Sequence, residues 1–76
     1  MMSAYFVPLI SLEVVIDGPG EYLTRGGERV GVDRASTRND FECVGYYVSS
    51  GTTESWHRSG RTHATSETRN DIVKRA

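Results

Sequence analysis

Between two runs of strand-forming residues, the stretch Tyr22-Leu23-Thr24-Arg25-Gly26-Gly27-Glu28-Arg29-Val30 carries a Gly-Gly pair, and that pair constrains the chain more than anything else in it. The favoured two-residue hairpin turn needs positive φ at both central positions, which glycine adopts at least cost. With Gly26 and Gly27 as the turn, Arg25 is expected to face Glu28, Thr24 to face Arg29, Leu23 to face Val30 and Tyr22 to face Gly31. These are an ion pair, a polar pair, an apolar pair and an aromatic ring over a strand glycine, each favourable across an antiparallel ladder. Trp56-His57-Arg58-Ser59-Gly60-Arg61 echoes the same turn later in the chain.

The remaining segments read as short strands too. Residues 4–7 and 9–16 are rich in β-branched and aromatic side chains and are divided by Pro8. Alternation puts Leu12, Val14 and Ile16 on one side of the second run, with Glu13 and Val15 on the other. Asp17-Gly18-Pro19-Gly20 is turn chemistry, and residues 35–40 form a polar loop. Phe41 to Val48 alternates Phe41, Cys43, Gly45 and Tyr47 against Glu42, Val44, Tyr46 and Val48. Apolar groups on both sides imply a strand covered twice, or one side buried and the other at a subunit contact. Ser49-Ser50-Gly51 turns into a strand at Glu54 to Arg58, and Ser59-Gly60 into Arg61 to His63. In the polar tail, residues 64–76, Ser66 is placed to cap a helical turn and Ile72-Val73 to add a short edge strand. The expected fold is all-β: a small, strongly curled antiparallel sheet or open barrel of five to six strands.

Size and charge narrow the function classes. The 76 residues make one small domain, residues 1–76, whose limited core gains from self-association, so a homodimer is expected. The apolar region 1–17 is a natural element for exchange between copies. A single cysteine excludes an internal disulfide and fits a reducing compartment. The apolar start is shorter than a membrane span and no basic residue precedes it, so a cytoplasmic location with no membrane contact is expected. Net charge −1 argues against direct nucleic-acid binding. Eight acids against four arginines in residues 1–54 give −4, and five bases against two acids in residues 55–76 give +3.

Several constellations are candidate sites. His57, His63, Cys43 and Asp71 match no zinc spacing, so no metal is assigned. Cys43 lies mid-strand with no helix start to lower its pKa, which leaves no catalytic residue and no cofactor. Arg58 and Arg61 are expected to face each other across the second turn; with Trp56 and His57 they make a candidate anion- or nucleotide-binding platform. The alternative is that the arginines pair with Glu54, Glu67 or Asp71 and that Trp56 is core. Seven aromatic side chains exceed what so small an interior absorbs, which points to a protein contact surface. The partner-binding candidates are Tyr46 and Tyr47 together with the acids Glu13, Asp17, Glu21, Asp33, Asp40 and Glu42.

At Tyr22-x-Thr24-Arg25-x-Gly27-x-x-Val30 the chain resembles a loose group of very short phage and prophage proteins. These combine a Tyr-x-Thr-Arg-x-Gly hairpin with a later Trp and Gly-Arg, here Trp56 to Arg61, and an Asp-Ile/Leu-Val ending, here Asp71-Ile72-Val73. The resemblance covers residues 20–73 and transfers no catalytic residue. It implies a phage accessory protein acting in the bacterial cytoplasm as a non-enzymatic, anti-CRISPR-like inhibitor that binds and occludes a host defence effector. The rivals are a nucleotide sponge that sequesters a defence signal and a structural phage component.

Overall fold

The computed structural model describes residues 12–76. The expected strands at residues 4–7 and the start of 9–16 lie outside that range. Within it, five strands form one antiparallel sheet: β1 Gly20–Thr24, β2 Arg29–Arg34, β3 Cys43–Tyr47, β4 Thr53–Trp56 and β5 Ile72–Arg75. The order across the sheet is β4-β3-β2-β1-β5, so the first four strands are a meander and β5 returns to the far side of β1. The sheet is open, with β4 and β5 as its edges. The all-β expectation holds, and there is no helix among the described residues, including at Ser66.

Both signature turns form, one residue longer than the sequence suggests. The Thr24 amide donates to the Glu28 carbonyl (2.8 Å) and the Gly27 amide to the Thr24 carbonyl (3.0 Å), enclosing a three-residue loop, Arg25-Gly26-Gly27. Only Gly27 has positive φ, at 91°. This is the three-residue hairpin that ends in a left-handed glycine. The register moves accordingly: Tyr22 faces Val30, Leu23 faces Arg29 and Glu21 faces Gly31. Arg25 does not meet Glu28; its guanidinium reaches Glu67 (3.6 Å) and Asp71 (3.7 Å) instead. The ring lying over Gly31 belongs to Tyr46 of the neighbouring strand, not to Tyr22.

The second turn repeats this geometry. His57 donates to the Arg61 carbonyl (2.8 Å), Gly60 donates to His57 (2.7 Å), and Gly60 also has φ 91°. The three-residue loop puts Arg61 opposite His57, so Arg58 and Arg61 do not face each other. Arg61 to His63 is not a strand, because Gly60 pairs with β5: the Ile72 amide donates to its carbonyl at 2.9 Å. Residues 12–16 do not join the sheet either. The amides of Val15 and Ile16 both donate to the Arg58 carbonyl (2.9 and 2.8 Å), fixing that segment against the second turn.

One side of the sheet is core. Tyr22, Val30, Val32, Cys43, Tyr47, Trp56 and Ile72 project to it, and Ile16 packs onto them from outside the sheet. Three irregular stretches cover this side: residues 12–19, the loop 35–42, and the connection 57–71 that carries the chain from β4 at one edge to β5 at the other. Polar atoms inside are paired. Trp56 Nε1–H donates to the Asn70 carbonyl (3.0 Å) and the Tyr22 hydroxyl to that of Gly18 (2.6 Å). Tyr47 meets Trp56 edge-on, with ring centres 5.9 Å apart, and burial pushes its phenol up to about 12. The other side carries Glu21, Leu23, Arg29, Val44, Tyr46, Thr53 and Ser55 and has no covering layer among the described residues. The alternation expected in Phe41 to Val48 is present, with one side buried and the other exposed.

Candidate functional site

The second turn is the hub of the loop-covered side. His57 is fully buried, its Nδ1 accepting the Ser59 amide (3.0 Å) and standing 2.8 Å from the Ser59 hydroxyl. Since Nδ1 accepts an N–H, the proton sits on Nε2 and is donated to Asn39 Oδ1 at 2.6 Å. Serine, histidine and asparagine thus form a chain that looks like a nucleophile, base and orienting group. The geometry opposes that use. Protonating Nδ1 would set an N–H against the Ser59 amide, and burial, followed by the charge of Arg58, lowers the His57 pKa. The imidazole is a neutral fastener between the second turn and the loop 35–42.

Asp71 fastens the other end. Its Oδ1 accepts the amide of Thr62 (3.0 Å) and the hydroxyls of Thr62 (3.1 Å) and Thr68 (2.8 Å), while Oδ2 accepts the Thr68 amide (3.0 Å). Burial pushes this carboxyl up, but the hydrogen bonds together outweigh it and the net shift is downward. Cys43 is buried and free, and burial raises its thiol; the Ser36 amide donates to its Sγ at 3.3 Å. His63 is exposed, apart from the buried His57, and no group of three or more His, Cys, Asp or Glu is assembled among the described residues.

Of the proposed anion platform, Trp56 and His57 are wholly inside the core and offer no face to a base. Arg58 and Arg61 are separated. Arg61 approaches Glu67 at 4.0 Å beside a cavity also lined by Arg25, Glu13 and Asp71, where three carboxylates outnumber two guanidiniums. Arg58 lines a different cavity and donates to the Thr37 carbonyl at 2.8 Å.

The partner-binding candidates are dispersed. Tyr46 is on the open side of the sheet, 38% exposed, near Val44 and Val48, whereas Tyr47 is core. Asp17 is held by Arg75 (2.5 Å), which keeps its carboxyl below the usual range, and Glu21 by Arg29 (2.6 Å). Asp40 accepts the Ser36 hydroxyl at 2.8 Å. Glu13, Asp33 and Glu42 are exposed and have no basic nitrogen within 4.0 Å among the described residues. Two of the six acids are thus engaged by arginines of the same chain. Sequence reasoning missed Asn39, Ser59 and the threonine cage of Asp71. Only the string Thr68-x-x-Asp71 in a polar loop hinted at any of them.

No family model matches the chain, and no curated protein or solved structure matches it either.

Proposed function

We propose that the protein acts by binding: a phage-encoded, non-enzymatic inhibitor that occludes a bacterial defence effector in the host cytoplasm with the open side of its sheet. The observation that carries this reading is the exposure of Val44, Tyr46 and Val48 on a sheet side with no second layer among the described residues. A tyrosine flanked by valines on a rigid ladder suits a contact patch, since it brings large apolar area at little entropic cost. Asp33 and Glu42 flank the end of β2 and the start of β3 near Val44, and supply acids at the rim rather than an acidic centre. Rim charges tune the association rate more than the affinity. Self-association belongs to the same proposal, through the free edges β4 and β5 or the apolar region 1–17.

The test is affinity purification from phage-infected host cells, read by mass spectrometry, with the tagged wild type beside Val44→Glu/Val48→Glu. Both sites are exposed, so the double variant is expected to fold, as its circular dichroism will report. The wild type is expected to recover a defence effector that the double variant loses. Equal recovery by both would refute the open side as the contact. Recovery of no host protein by the wild type would refute the inhibitor reading.

A further inference from the structure

On the loop-covered side, away from the open side of the sheet, residues 14–19 and the loop 35–37 enclose a cavity of about 340 Å³. Its walls are mainly apolar, from Val14, Ile16, Pro19 and Ala35, and Arg58 supplies a guanidinium. This volume falls among ordinary small-ligand pockets, roughly 300–1,000 Å³, and the lining follows their usual pattern of apolar walls with a few placed polar groups. The cavity is held in shape by the residue that charges it. The Arg58 carbonyl takes the amides of Val15 and Ile16, anchoring one wall, and its Nη1 donates to Thr37 in the other. Among the described residues, Nε and Nη2 have no hydrogen-bond partner and no carboxylate lies within 4.0 Å of the guanidinium. The acid at the rim, Asp17, is already engaged by Arg75 and by the Tyr22 hydroxyl.

We propose that this cavity binds a small amphipathic monoanion, its apolar body between Ile16 and Ala35 and its carboxylate on the free nitrogens of Arg58. A single unpaired cation matches a single negative charge, and the planar edge of a guanidinium matches a carboxylate. A dianion would leave one charge unmatched beside Asp17. This site is independent of the open-side contact proposed above, because it uses neither that surface nor its residues.

The experiment is an NMR titration of the full chain with 2-naphthoate and, as the uncharged isostere, 2-naphthamide. Naphthoate is expected to shift the amides of Val14, Ile16, Ala35 and Thr37 saturably, binding at least about tenfold tighter than the amide, as a charge-assisted hydrogen bond commands. Arg58→Gln keeps a donor for Thr37 and is expected to abolish the preference for the acid. Ala35→Leu fills the cavity and is expected to weaken both probes, which provides a second reading should Arg58→Gln not fold. Equal binding of acid and amide to the wild type would overturn the proposal. So would shifts centred outside the cavity, or a preference for the acid that survives Arg58→Gln.

Discussion

Gly27 and Gly60 occupy the same position of the same turn with the same φ of 91°, yet alanine is expected to cost very different amounts at each. At Gly27 a methyl group meets nothing within 4 Å; at Gly60 it would stand 2.0 Å from the Ile72 carbonyl oxygen. The left-handed conformation costs an alanine about 1–2 kcal/mol, and the lower entropy of the unfolded alanine chain returns about 0.4–1. Gly27→Ala should therefore destabilise by ~1 kcal/mol. Gly60→Ala carries the same penalty, and relieving the overlap needs a shift of more than an ångström in β5. That shift breaks the hydrogen bond from Ile72 to Gly60 and disturbs Ile72 in the core. Overpacking adds ~1–3 kcal/mol and the broken hydrogen bond ~1, for a total of about 3–5 kcal/mol. A chain of 76 residues has roughly 4–11 kcal/mol of stability, so the variant should be partly or wholly unfolded. Urea titration followed by tryptophan fluorescence measures both, since Trp56 sits in the core. Equal losses in the two variants would refute the steric argument and leave backbone conformation as the whole effect.

Three further outcomes are expected. The unfolded chain takes up a proton on His57 below about pH 6.5 while the folded chain resists it, so stability should fall as pH drops below that value; urea midpoints across pH 5–8 should show a slope that His57→Gln removes. Asp71→Asn keeps the shape but sets an N–H₂ group against donors, and should cost ~2–4 kcal/mol by thermal denaturation, with amide exchange rising first in residues 61–71. The Cys43 thiol, buried and with a raised pKa, should react with a disulfide reagent only as fast as the fold opens; a rate independent of urea would contradict its placement in the core.

The strands were legible where the pattern is local. Phe41 to Val48 alternates cleanly, Ser49-Ser50-Gly51 turns the chain, and Ile72-Val73 is the start of an edge strand, as its branched side chains suggest. Both hairpin loops are one residue longer than their glycines suggest, and in the first the reason is visible. A Gly-Gly pair reads as two left-handed positions, but only the second is left-handed, because the amides of Arg25 and Gly26 donate to the carbonyls of Asp71 and Arg69 (2.8 Å each). Those acceptors are more than forty positions away, beyond the reach of any local pattern. Distance in sequence hid the rest as well. Asn39 and His57 are 18 positions apart, and the Arg58 cavity is built from residues 14–19 and 35–37, which carry no shared motif. The pattern grouped Arg58 with Arg61 and Trp56, but the loop geometry sends the two arginines to different cavities and buries the tryptophan.

The connection 57–71 passes from one edge of the sheet to the other before β5 can pair. Contact order then predicts an order of assembly. The meander β1 to β4 uses neighbours in sequence and can form early, but the cover over its apolar side is incomplete until Asp71 has gathered the threonines and Ile72 has reached Gly60. A chain cut after Trp56 would keep the residues of the first four strands but lose the third covering stretch and the last strand. The slow, committing step of folding is thus expected to be the docking of the last strand, and a peptide spanning residues 57–76, added in trans to the shortened chain, should restore a cooperative unfolding transition.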